Sequence, residues 1–268
     1  MHVLKFRTAI QELWFIKRLG PLPNWSVGCP NAALGYQGDP LQNPNIAHYA
    51  AKAQGFAAAL APSGLTTFWV WNEPNIRGII NPGENSPQQT SALAPEVFGA
   101  MLYKTARALK SGGVTTVYTG SLSMLSGTDP TGPFGAQYLD KMYVYLNGYG
   151  VTAPYPWDAW SLNVEGYPDD NFLKVVKIVL AQKQVQYSDG APFIIGEWGV
   201  SDANYNFPSA QATYQALRAN FSTMYFYIHP LDPGMGFGAS RWSADTGQFV
   251  TTTALVWYAG LQVLYQNP

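Results

Sequence analysis

Cysteine, histidine and charge are all scarce in this sequence, and each shortage removes a class of function. Cys29 is the only cysteine, so no internal disulfide can form, and with no partnering motif it reads as an inert thiol. The three histidines, His2, His48 and His229, fall in a terminal, a helical and a strand-end context. No two sit at metal-ligand spacing, so neither a metal nor an organic cofactor is expected. Charged residues make up 12% of the 268 positions and the net charge is −1, which leaves no electrostatic case for nucleic acid or an anionic membrane surface. No apolar run is long enough to cross a membrane. The first residues carry Lys5, Arg7, Glu12, Lys17 and Arg18 and no apolar stretch of signal length, so the chain as written reads as cytoplasmic, or as secreted if it is a fragment. A Gly-x-Ser-x-Gly elbow is also missing. The close glycines of Gly234-Met235-Gly236-Phe237-Gly238 have no helix start after them to hold a phosphate, and read as a loop packed over a cleft.

Aromatic residues, in contrast, are plentiful at 15%, with nine Trp and seventeen Tyr. Part of this excess must be core, but exposed rings also serve as flat platforms for sugar faces. Apolar, β-branched runs alternate with helical stretches along the chain. The runs are Leu13–Arg18, Leu65–Trp71, Val114–Tyr118, Trp157–Asn163, Pro192–Gly199 and Thr223–Ile228. The helices are expected over Ile46–Leu60, Pro95–Lys110, Gly135–Asn147, Asn171–Tyr187, Ser209–Asn220 and Thr252–Gln266. This alternation predicts an α/β fold with a parallel sheet and right-handed crossovers, and the length suits one (β/α) barrel domain spanning residues 1–268. Pro21 to Asn45 and Arg77 to Ala94 read as long loops. Trp25 lies in the first of them, with cleft lining and loop anchoring equally open.

Two of the strand-like runs end in a carboxylate. Leu65–Trp71 delivers Asn72 and Glu73 to its carboxyl end, where Pro74 stops it, and Pro192–Gly199 carries Glu197. A single glutamate in such a place is commonly a salt-bridge partner or a cap. A pair is what glycoside hydrolysis requires, one carboxyl to protonate the leaving oxygen and one to attack or to activate water. Asn72-Glu73-Pro74 followed by Gly196-Glu197-Trp198 resembles the acid/base and nucleophile signatures of the clan A retaining glycoside hydrolases. With Trp71-Asn72-Glu73-Pro74-Asn75 and the upstream Pro23-Asn24-Trp25, the chain from about Leu13 onward is most similar to the family 39-like β-glycosidases.

The resemblance implies Glu73 as acid/base after strand four and Glu197 as nucleophile after strand seven. It implies Asn72, Trp25, Asn163, Tyr167, Trp198 and Trp242 as substrate-binding residues and a β-linked carbohydrate as partner. Two departures accompany it. Asn163 stands where the family has a histidine, leaving Tyr167 as the hydroxyl donor to Glu197, and no arginine occupies the strand-two place beside the nucleophile; Arg18, Arg77 and Arg241 are the substitutes to consider. Glu165 adds a carboxylate that reads as a substrate hydrogen-bonder or a surface residue. Only 64 residues precede Leu65, so a barrel lacking its first one or two βα units, keeping strands three to eight, is expected. Its open edges would need cover from the Met1–Arg18 segment or a second subunit, which favours a homo-oligomer. A carbohydrate-binding barrel remnant without turnover is the rival reading. A phosphate-binding barrel isomerase fits poorly with the tryptophans and the paired glutamates.

Overall fold

The computed structural model describes residues 3–6, 38–75, 94–124, 135–199, 207–226, 240–243 and 248–251. The chain forms two compact units, one of Thr8–Leu162 with Ile178–Phe193, the other of Met1–Arg7 with Asn163–Lys177 and Ile194–Pro268.

In the first unit, helix α1 (Pro44–Leu60) starts where Asn43 caps it, its side chain accepting from the Asn45 backbone N–H at 2.9 Å, with Pro44 in the first turn where a missing N–H costs nothing. The alanine-rich helix buries Ile46, Tyr49, Ala50, Ala53 and Ala57, and a short 3₁₀ turn then hands the chain to Gly64 at φ 87°. Strand β2 (Thr67–Asn72) follows, then helix α2 (Pro95–Ser111), which has Glu96 in its first turn and Lys110 in its last, both matched to the helix dipole. Helices α1 and α2 lie against each other. Their contact is close: a Cβ on Gly112, just past α2, would lie 2.6 Å from the Gln54 carbonyl and 2.7 Å from the Ala57 methyl.

Strand β3 (Thr116–Ser123) pairs parallel with β2 in the register Thr67↔Thr116 to Asn72↔Ser121. Phe68, Trp69, Val70, Val117 and Leu122 are fully or almost fully buried, as parallel strands covered on both faces require. Helix α3 (Ala136–Gly148) leads to strand β4 (Trp160–Glu165), whose approach pairs parallel with β3 through Tyr118↔Ala159. A buried polar chain ties these strands together. Trp69 donates its indole N–H to Ser161 Oγ at 3.1 Å, Ser161 Oγ lies 2.7 Å from Ser121 Oγ, and the Ser161 N–H donates to Thr119 Oγ1 at 3.1 Å.

Ahead of strand β5 (Phe193–Gly199), a polar knot forms on Asp189. This carboxylate is 6% exposed; its Oδ2 accepts from the Tyr143 hydroxyl at 2.5 Å, Trp157 Nε1 at 2.9 Å and Trp160 Nε1 at 2.8 Å, while Oδ1 accepts the Ala191 N–H at 2.9 Å. Burial, with the Asp189 carboxylate beside it, pushes the Tyr143 phenol well above its ordinary value, so it stays a donor. Tyr155 and Tyr187 pack on the Tyr143 ring, and burial raises both to about 12.

The second unit holds the carboxyl-terminal part of β4 and most of β5. Strand β6 (Thr223–Phe226) pairs parallel with β5, and strand β1 (Val3–Phe6) pairs parallel with β6 from Val3↔Thr223 to Phe6↔Phe226. Helix α4 (Asp170–Tyr187) begins in this unit, and α5 (Phe207–Asn220) precedes β6. Asn220 donates to Asp170 Oδ1 at 2.9 Å, and Lys177 donates to the Asn220 carbonyl at 2.9 Å, so the end of α5 is held against the start of α4. A two-stranded antiparallel hairpin, β7 (Ser240–Ser243) with β8 (Gln248–Thr251), completes the described elements.

The parallel α/β order expected from the sequence is present, and the central elements match to within a few residues. Two elements were not foreseen. A strand lies at Val3–Phe6, missed because four residues interrupted by Lys5 are too short to give a period. The β7–β8 hairpin was also not foreseen, although Asp245-Thr246-Gly247 between two short runs is a turn signal. The Leu13–Arg18 strand and the Thr252–Gln266 helix lie outside the described residues.

Candidate active site

Glu73 sits at the carboxyl end of β2, and the backbone that carries it is strained. Trp71 has φ 75° and Glu73 φ 43°, a left-handed conformation that an aromatic or a long side chain adopts only when its surroundings impose it. Such outliers cost about 1–3 kcal/mol each and gather at functional sites. Three contacts to β3 impose the conformation. The Glu73 N–H donates to the Ser121 carbonyl at 2.8 Å. Beyond it, the Asn75 amide clamps Ser123 from both sides, donating to its carbonyl at 3.0 Å and accepting its N–H at 2.9 Å. Glu73 is 6% exposed and Asn75 fully buried, so this segment is fixed from within the unit. Asn72 shares this strand end, its backbone in register with Ser121.

Glu197 lies on β5 in the other unit, half-buried. Asn163, buried on β4, donates its amide N–H to Glu197 Oε2 at 3.0 Å. The Asn163 side chain thus reaches the carboxylate directly. An amide N–H bond fixes the orientation of a carboxylate and suits its ionised form. Tyr167, half-buried, follows the turn after β4.

The remaining sequence-predicted residues fare differently. Trp198 is fully buried and its indole N–H donates to the Gly166 carbonyl at 3.1 Å, so its ring has no open face for a sugar; here it braces the turn before Tyr167. The substrate-binding role expected of Trp198 does not fit this burial, because a Trp on a parallel strand covered on both sides goes to the core. Trp242 lies on β7 in backbone register with Phe249. Trp25 lies outside the described residues, as do Arg18 and Arg77. Among the described residues no cluster of His, Cys, Asp or Glu has the geometry of a metal site, and no helix is long and apolar enough to cross a membrane. Sequence reading missed the roles of Ser121 and Ser123 in fixing Glu73. The only trace they left was a Gly-Ser pair at the end of a strand.

No protein-family model and no curated protein matches the chain. Among solved structures, the fold is similar to a family 39 β-xylosidase from Caulobacter crescentus, with a TM-score of 0.52 and 14% identity over 81% of this chain and 47% of that one. A family 5 xyloglucan-specific endo-β-1,4-glucanase from a metagenomic library, solved with cellotriose, matches with a TM-score of 0.49, 12% identity, 88% of this chain and 68% of that one. A family 5 broad-specificity endoglucanase from Clostridium longisporum gives 0.47, 13%, 85% and 64%. The chain thus spans about half the length of the β-xylosidase. Its α/β fold with parallel strands has glycoside hydrolases as structural neighbours.

Proposed function

We propose that this protein is a retaining β-glycoside hydrolase of β-glucosidase, β-xylosidase or endo-β-glycanase type. Glu197 attacks the anomeric carbon, and Glu73 protonates the leaving oxygen and then deprotonates the water that releases the sugar. The observation that carries the reading is the strained, clamped backbone at Glu73: a buried carboxylate at the carboxyl end of a parallel strand, held at φ 43° in a conformation that packing alone does not call for. The Asn163 amide on Glu197 supports the nucleophile role by holding the carboxylate in one orientation. Asn72 binds the sugar 2-hydroxyl, Tyr167 takes the hydroxyl-donor role toward Glu197, and Trp25 and Trp242 remain the candidate stacking platforms. The scaffold in this reading is a single catalytic domain on a (β/α) barrel. In it β2 to β6 take the fourth to eighth places of a barrel that keeps strands three to eight, with the Val3–Phe6 strand covering the open edge of β6.

The test is turnover of a panel of aryl β-glycosides and polymeric glucan and xylan. Hydrolysis lost in Glu197→Ala and restored by azide, with formation of a glycosyl azide, is the expected result. Wild-type protein inert on the whole panel, yet retaining sugar binding, would instead identify a binding remnant.

A further inference from the structure

The kink in β2 has a counterpart on β3 that is a missing side chain. Val70 pairs with Thr119 and Asn72 with Ser121, so Trp71, at φ 75°, stands across from Gly120. Gly120 is not itself among the residues of positive φ, and its own backbone does not call for glycine. The need comes from its neighbours. A Cβ at position 120 would lie 2.6 Å from the Val70 carbonyl oxygen, 3.2 Å from the Trp71 carbonyl carbon and 3.2 Å from Phe98 Cε2. Two of these three are backbone atoms, which cannot swing aside, and the first distance is one that real side chains do not tolerate. Relief requires the Val70–Trp71 peptide and β3 to move apart, which disturbs the kink at Trp71.

What the kink controls is the direction of Glu73. One residue separates Trp71 from Glu73, and the next holds on β3 are the Glu73 N–H on Ser121 and the Asn75 amide on Ser123. A general acid works only when its proton is within hydrogen-bond reach of the leaving oxygen, and a misplacement of about 1 Å costs on the order of 10²-fold in rate. We infer that Gly120 is a positioning residue for Glu73: its absent side chain lets the β2 backbone adopt the left-handed turn that aims the acid/base carboxyl, with the Asn75–Ser123 clamp as the second hold. The inference rests on the acid/base reading of Glu73 given above.

Leaving-group dependence tests it. A 2,4-dinitrophenyl β-glycoside departs without proton donation, whereas a methyl glycoside or disaccharide of the same sugar needs the acid, and kcat/KM reports the glycosylation step for both. Gly120→Ala should lose about 10²-fold in kcat/KM on the unactivated substrate and no more than about threefold on the dinitrophenyl glycoside. Equal losses on the two would mean a structural role only and would overturn the inference. Glu73→Ala is the control that separates the two ideas: a loss independent of leaving group there sinks the acid/base reading itself, before Gly120 is considered. Should Gly120→Ala fail to fold, Asn75→Ala removes the second hold without adding bulk, and Asn75 is too deeply buried to touch substrate. It should show the same selective loss, about tenfold, and an unselective loss would refute the positioning scheme.

Discussion

Asp189→Ala should be among the most damaging single substitutions in the protein, by an amount the hydrogen-bond pattern allows to be estimated. One carboxylate serves three side-chain donors and one backbone N–H, at 2.5 to 2.9 Å. The donors cannot turn to solvent, since Tyr143 is 1%, Trp157 4% and Trp160 0% exposed. A hydrogen bond to a charged group contributes about 1.5–3 kcal/mol, and a buried donor left without an acceptor costs about 1–3 kcal/mol. Water entering the space vacated by the carboxylate can satisfy one or two of the donors. The net loss is therefore expected near 3–5 kcal/mol, the range found when one partner of a buried charged pair is removed. That is a large share of the roughly 5–15 kcal/mol by which a domain is stable, and at about 2–4 °C per kcal/mol it lowers Tm by roughly 6–20 °C. Asp189→Asn should lose less, about 1–3 kcal/mol, because its carbonyl can replace Oδ2 while its NH₂ faces the Ala191 N–H, donor against donor. Urea unfolding followed by tryptophan fluorescence and circular dichroism measures both variants. An Asp189→Ala protein within about 1 kcal/mol of wild type would show that the knot holds nothing together.

Alkaline pH should act on the same cluster. Burial raises Tyr155 and Tyr187 to about 12 and lifts Tyr143 well above its ordinary value, as it does Tyr49 and Tyr145 elsewhere in the unit, whereas the unfolded chain ionises near about 10. Raised folded values favour the neutral form in the native state, so their contribution is complete below about pH 10 and lost as pH rises through about 12; tyrosinate absorbance reaching the full seventeen-residue amplitude near pH 10 with no change in circular dichroism would contradict this. At the other end of the burial scale, Val185 on α4 is 83% exposed, and Val185→Gln should shift stability by less than about 0.5 kcal/mol in the same urea assay. Asn163→Ala removes the amide on Glu197 and should lower kcat/KM by about 10-fold or more with Tm little changed, which an unaltered rate would refute. Light scattering at micromolar concentration tests the expected homo-oligomer, and a monodisperse monomer would discard it.

The legible parts of the sequence were those with long, unambiguous periods. The strand carrying Glu73 and the helix of Pro95 to Ser111 announce themselves through β-branched runs, a proline start and a glycine stop. The hydrogen bond from Asn163 to Glu197 was not read from the sequence, which offered Tyr167 as the donor, because residues on two separate strands meet only once the strands are placed. Val3–Phe6 and the β7–β8 hairpin escaped because four-residue strands carry no period of their own and are defined by their partners. Trp198 was misjudged for a related reason. A tryptophan's letter does not tell which side of a strand is covered, and only packing decides whether its ring is a platform or a brace. The kink at Trp71 was invisible because left-handed backbone at an aromatic residue contradicts local preference.

The close meeting of α1 and α2 ties together positions far apart in the chain. Gly112 has room for nothing larger while Ala57 and the Gln54 carbonyl stand where they do, and Ala53 and Ala57 have no exposure to expand into. These sites cannot drift independently: a larger residue at one is tolerated only if the helix backbones part, which would reshape the support behind β2 and β3. In a library randomised at 53, 57 and 112 together, the surviving clones should be jointly small at all three, a correlated signature across more than fifty residues of sequence that single-site scanning would record merely as three separate intolerances.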